Sequence, residues 1–145
     1  LGEGGGEMRE ILFRGKTEDG DWVEGSFLNI RGVYYIIPVD LELEDCVSES
    51  FFFDIAEYAV IPETVGQYTG LNDKEGNKIF IGDLLQKEHN SLQRPQEEVF
   101  RVRELDIGGY VIENENDFGY LYNHNDNSKV IGNIHDKPEL LEGIK

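Results

Sequence analysis

Cysteine is almost absent from this sequence. Cys46 is the only one, so no disulfide can form within the chain. Basic residues are scarce as well: 13 Lys and Arg stand against 30 Asp and Glu, a formal net charge of -17. Duplex nucleic acid and anionic membrane surfaces are both repelled at long range by such a field. No apolar run approaches the roughly 18 residues of a membrane helix. The opening Leu1-Gly-Glu-Gly-Gly-Gly-Glu7 lacks the basic and apolar regions of a signal peptide. It reads as a flexible natural leader or a cloning remnant ahead of Met8. Together these absences point to a reducing cytoplasm.

What is present suits a folded domain. The apolar fraction of 39% and aromatic fraction of 11% are too high for wholesale disorder. Residues 8–145 are expected to form one domain, with a sub-boundary near 61–64 where composition shifts. Glu10–Arg14 is a short apolar run ending near the turn signal Glu18-Asp-Gly-Asp21. Trp22–Ile30 follows, and the pair predicts a β-hairpin. Arg31-Gly32 turns the chain into Val33–Ile37, which Pro38 stops. Residues 39–50 alternate acidic and apolar side chains, as either a one-sided strand or a surface loop. From Phe51 to Ile61 the pattern fits a strand or a short helix.

Pro62–Leu71 is turn-rich. Asn72–Asn77 is a turn cluster with Gly76 at a position that favours positive φ. Lys78–Leu85 reads as a strand and 86–96 as an exposed loop. Glu97–Leu105 alternates, with Val99, Arg101 and Arg103 on one face. Tyr110–Ile112, Phe118–Tyr122 and Val130–Ile134 are the last strand candidates. Asp136–Glu142 fits a short helical turn with Asp136 as its cap. Eight or nine short strands with Gly-marked turns predict a mainly β, small barrel-like fold. It would combine an N-terminal β-meander with little helix, and Gly82-Asp83-Leu84 after an apolar run resembles the step into a strand of SH3-like barrels, which suggests an SH3-like element in the C-terminal half.

The charge is unevenly spread. Residues 32–73 contain nine acids and no Lys or Arg. Asp40, Glu42, Glu44, Asp45 and Glu49 concentrate there, and they are the sequence's candidate interaction surface.

Three stretches resemble the YopX-like family of phage and prophage proteins. They are Arg9–Arg14 with Trp22; Pro62–Leu71 with Asp73, Lys74, Gly76 and Lys78–Leu85; and Val130–Ile134 with Pro138–Leu141. The middle block is the most specific, because order, spacing and turn residues agree over more than twenty positions. The resemblance implies a small, mostly β phage or prophage protein of the bacterial host cytoplasm. It brings no established biochemical activity, hence no catalytic residues to transfer. Gly66, Gly70, Gly82, Asp83 and Gly132 within these stretches are read as structural. In particular, Asp83 can fix a turn by accepting from backbone amides.

No pattern for catalysis or metal binding stands out. Carboxylate pairs such as Glu42/Glu44, Glu97/Glu98 and Glu113/Glu115 arise by chance among so many acids. His89, His124 and His135 lack metal-ligand spacing, and Cys46 has no cysteine near it. Asn123-x-Asn125-x-Asn127 fails as a calcium loop, with Ser128 where glycine is required. Neither a nucleophile elbow nor a phosphate-binding glycine loop occurs. The expectation is a non-enzymatic protein-binding module with no cofactor and no metal, a homo-oligomer that acts on an unknown protein partner. A second reading makes the acidic segment a mimic of nucleic acid that occupies a host DNA-binding protein. A third makes the chain an SH3-like nucleic-acid binder using Arg101 and Arg103 beside aromatic residues, against the overall charge. Tyr34-Tyr35, Phe51-Phe52-Phe53 and Tyr120/Tyr122 are expected in the core or at a subunit interface.

Overall fold

The computed structural model describes residues 10–41, 55–88 and 97–142. Ten strands and one short α-helix lie within them, so the chain is mainly β with little helix, as its turn-punctuated pattern predicts. The strands are β1 (Phe13–Lys16), β2 (Trp22–Ile30), β3 (Val33–Pro38), β4 (Gly66–Asn72) and β5 (Lys78–Phe80). They continue as β6 (Asp83–Glu88), β7 (Glu97–Glu104), β8 (Tyr110–Glu113), β9 (Phe118–Tyr120) and β10 (Ser128–Asn133). The helix α1 spans Glu139–Glu142. The strands form two five-stranded sheets, ordered β3-β2-β1-β4-β5 and β10-β6-β7-β8-β9. The barrel-like expectation is corrected on one point. Closure requires the two edge strands of a sheet to pair, and among the described residues both sheets stay open. None of the described helices is long and apolar enough to cross a membrane.

The chain divides into two compact units, Leu1–Tyr68 and Thr69–Lys145. In the first, β1 and β2 pair from Phe13↔Gly25 to Lys16↔Trp22, and β2 pairs with β3 up to Ile30↔Val33. Arg31 and Gly32 form that second turn with φ of 53° and 87°. Left-handed backbone at both central residues matches the twist of the flanking strands. The Asn29 Oδ1 accepts from the Gly32 N–H at 2.9 Å. Leu12, Ile36, Val60 and Tyr68 are buried, and a Cβ at Gly15 would press on Val60 and Ile36. Between Phe51 and Ile61, the described part is a 3-10 helix over Ile55–Tyr58, followed by a bridge from Ala59 to Tyr35. Phe51, Phe52 and Phe53 lie outside the described residues.

The second unit has its core in Ile79, Leu85, Phe100, Val102, Ile112 and Leu121. Two segments differ from the sequence expectation. The stretch read as turn-rich up to Leu71 contains β4, because β1 supplies backbone partners that local sequence does not reveal. The strand expected over Lys78–Leu85 is two strands broken at Ile81-Gly82. Gly82 has φ of 95° there, and the Asp83 Oδ2 accepts from the Phe80 N–H at 2.8 Å.

Asp73 is the other buried carboxylate among the described residues, 5% exposed. Its Oδ1 accepts from the Glu75 and Asn77 N–H groups at 2.9 and 2.8 Å. Its Oδ2 accepts from the Val130 N–H at 2.9 Å, which ties the Asn72–Asn77 turn to β10. Burial pushes its pKa up, but the backbone donors of Val130, Asn77 and Glu75 together outweigh this and hold it below the usual carboxylate value.

Candidate functional site

The β8–β9 connection is a tight turn built on Asn114. Its Oδ1 accepts from the Asn116 and Asp117 N–H groups at 2.8 and 2.9 Å. Its Nδ2 donates to Glu98 Oε2 and to the Val99 carbonyl, both at 3.2 Å. Such an Asx turn holds the chain where β9 begins. β9 is short, and it is an edge of its sheet.

Three aromatic side chains are exposed on β9 and on the 3-10 turn Leu121–Asn123 that follows it: Phe118 at 52%, Tyr120 at 43% and Tyr122 at 65%. They form a continuous row. The Phe118 and Tyr120 rings meet edge to face at 6.2 Å, and Tyr120 stacks on Tyr122 at 5.8 Å with an interplanar angle of 27°. Leu121, between the two tyrosines, is fully buried and anchors the row to the core. Aromatic area of this kind left in water marks an interaction surface more often than a stability device.

The strand register adds charge to the same face. Arg101 stands opposite Glu113, which stands opposite Phe118; Arg103 stands opposite Val111, which stands opposite Tyr120. Directly paired residues share a face of the sheet. Arg101 Nη2 donates to Glu113 Oε1 at 3.0 Å, and Arg103 Nε and Nη2 engage both Glu113 oxygens. The hydrogen bond from Arg103 is the main cause that holds the Glu113 carboxyl below its usual pKa. The two arginines therefore share one carboxylate and project half-exposed beside the aromatic row. Glu113→Gln should lower the melting temperature slightly at low salt and hardly at all at high salt, because exposed ion pairs are screened. Thermal melts at both ionic strengths check this. A loss of equal size at high salt would mean that Glu113 acts by packing.

Beside the row, a cavity of about 90 Å³ is lined by Lys87, Phe100, Ile112, Asp117, Phe118, Gly119 and His124. Lys87 Nζ lies 2.7 Å from His124 Nδ1. An ammonium donates there to a neutral ring. Burial first, and the Lys87 charge second, hold the His124 pKa below its usual value, while Asp117 opposes them. The ring packs against Gly119 so closely that a Cβ there would come within 2.6 Å of Nε2.

Asp40 is exposed in a turn after β3; Glu42, Glu44, Asp45 and Glu49 lie outside the described residues, as do Cys46 and His89. Gly66 is buried where β4 meets β1, opposite Arg14. Gly70 lies in β4 with φ of 87°, and Gly132 marks a register shift in β10. Gly82 and Asp83 form the break before β6. Gly70, Gly82, Asp83 and Gly132 lie outside β9 and the turn after it. Tyr120 and Tyr122, expected in the core or at an interface, are outside the core. Phe118, Gly119 and Lys87 carried no signal of their own. The strand expected over Phe118–Tyr122 ends at Tyr120, where a 3-10 turn over Leu121–Asn123 takes over, and only the fold shows which side stays wet.

The family model described as YopX protein matches residues 12–142. Among solved structures, the crystal structure of protein EF1440 from Enterococcus faecalis is similar, with a TM-score of 0.52 and 22% sequence identity. That likeness covers 92% of this chain and 99% of that one, and it speaks to the fold. No curated protein sequence matches the chain.

Proposed function

The chain belongs to the YopX protein family, and for it we propose a non-enzymatic, protein-binding role in a phage or prophage, exercised through the β9 edge. The observation that carries this reading is the row of Phe118, Tyr120 and Tyr122, exposed and in ring contact along β9 and the 3-10 turn that follows it. Aromatic side chains bring large contact area at low entropic cost, which is why they dominate the energetics of interfaces. The polar clusters support the non-enzymatic part, since Asp73, Asn114 and Asn133 spend their side-chain oxygens on backbone amides of nearby turns. Self-association through the same edge is the first form of docking to measure.

The register that places Arg101 and Arg103 beside the aromatic row favours one rival, a stacking platform for single-stranded nucleic acid. Glu113 occupies both arginines, and the net charge of -17 opposes a polyanion. Protein docking is therefore the stronger reading. Sedimentation over a range of concentrations should show reversible self-association that Tyr122→Ser weakens about tenfold or more, as expected of an aromatic anchor. Oligonucleotide titration at low salt is the companion experiment. Saturable binding of a thymidine oligomer, lost in Tyr122→Ser, would transfer the edge to the rival reading.

A further inference from the structure

We infer that the β9 edge recognises an arginine-bearing segment of a partner protein, with guanidinium groups stacking on Tyr120 and Tyr122. This deepens the protein-docking reading above and rests on it. Two independent observations support it. The first is charge. Residues 104–128 contain six acids, Glu104, Asp106, Glu113, Glu115, Asp117 and Asp126, and no Lys or Arg. Glu113 is committed to Arg101 and Arg103, and Asp106 lies close enough to Arg103 to favour its charged form. Glu115 and Asp117 are exposed in the turn that leads into Phe118, and Asp126 is exposed after Tyr122. Along the chain, exposed carboxylates thus flank the aromatic row on both sides. Lys87, the nearest lysine in the cavity, is turned to His124.

The second observation is ring geometry. Tyr120 and Tyr122 stack on one another, which covers one face of each ring and holds the pair in place, and their remaining exposure, largest at Tyr122, leaves ring surface in water for a planar cation. A guanidinium is flat, weakly hydrated and always charged, and it stacks on such faces better than an ammonium. The chain uses the same contact internally, where Arg14 Cζ lies 4.9 Å from the centre of the Trp22 ring. A partner arginine on the tyrosines would also reach the carboxylates beside them, combining stacking with charge-assisted hydrogen bonds.

The test uses three synthetic probes of equal length: a Gly-spaced peptide with three arginines, its lysine counterpart and its glutamate counterpart. Affinities are read by calorimetry, and tyrosine ring resonances by NMR, at low and physiological salt. The arginine peptide should bind about fivefold tighter than the lysine peptide and shift the Tyr120 and Tyr122 rings. The glutamate peptide should not bind. The double variant Tyr120→Leu, Tyr122→Leu keeps apolar bulk but loses the ring faces, and should cost the arginine peptide about tenfold. Glu115→Gln with Asp117→Asn should weaken both cationic peptides at low salt, leaving their ratio intact. Equal affinity for arginine and lysine peptides, or an arginine affinity indifferent to the tyrosine variant, overturns the proposal in favour of diffuse attraction. If Tyr122→Ser abolishes self-association while the arginine peptide fails to bind, protein docking stands and this partner class falls. If neither effect is seen, the docking reading fails with it.

Discussion

Gly25→Ala is expected to cost about 3 kcal/mol or more of folding stability, as overpacking against an immobile neighbour does. Gly25 sits in β2 with a partner on either side, Phe13 in β1 and Pro38 in β3. A Cβ at this position would lie 1.8 Å from the Ile37 carbonyl oxygen and 2.6 Å from its carbonyl carbon. The obstacle is backbone, so no rotamer change can relieve it. Either β3 moves away from β2, breaking ladder hydrogen bonds, or β2 bends out of its register. Exposed Ser26, the next residue on the same strand, is the control. Ser26→Ala should stay within about 0.5 kcal/mol. Urea unfolding of the two variants beside the wild type decides the matter. A Gly25→Ala midpoint close to that of Ser26→Ala would show that the β2–β3 approach is looser than described.

Asp73→Ala should cost about 3 kcal/mol at neutral pH, because it removes a buried carboxylate that satisfies three part-buried N–H donors, those of Glu75, Asn77 and Val130. Asp73→Asn keeps one acceptor oxygen but presents an amide donor in place of the other, so its loss should fall between wild type and alanine. The pH dependence follows from the lowered pKa of the folded state. The unfolded chain takes up its proton near the ordinary carboxylate value of about 4. Above that pH both states are ionised and the full stabilisation is present. As pH falls through the folded pKa the native carboxylate protonates too, and the contribution is lost. The stability gap between wild type and Asp73→Asn should therefore be constant near neutrality and shrink in acid. A gap that persists unchanged below the folded pKa would show that shape, not charge, is what the turn needs. Glu113 has the same sign of shift and should add to acid sensitivity, with a smaller weight because its arginine partners are half in water.

Both residues illustrate how far sequence reasoning reaches. The Asn72–Asn77 turn was legible because Asp, Asn and Gly act locally: an Asp accepts from amides two and four residues on, and Gly76 takes φ of 86°. The Gly82-Asp83 step was legible for the same reason, since its hydrogen bond spans three residues. The third contact of Asp73, to Val130, is 57 residues away, and no local pattern carries it. Gly25 looked like an ordinary residue of a strand rich in aromatic and β-branched neighbours. Its need to be glycine comes from a strand that approaches only after folding.

The candidate site divides in the same way. Arg101 and Arg103 were visible as two charges on one strand face, and Tyr120 and Tyr122 as aromatics near another strand. Their meeting on one side of the sheet depends on the Arg101↔Glu113↔Phe118 register. A one-residue slip in either pairing would have sent the aromatics to the opposite face. Likewise Lys87 and His124, 37 residues apart, meet only because β6 and the turn after Leu121 close around the same cavity. By itself the sequence determined the mainly β character, most of the turns, the acidity and the family, because hydrophobic alternation, turn chemistry and motif spacing are properties of neighbours along the chain. Tertiary structure alone decided which aromatics stay in water, which arginines are spoken for, and where a side chain has no room. Those depend on strand register and packing, which join residues that the sequence keeps far apart.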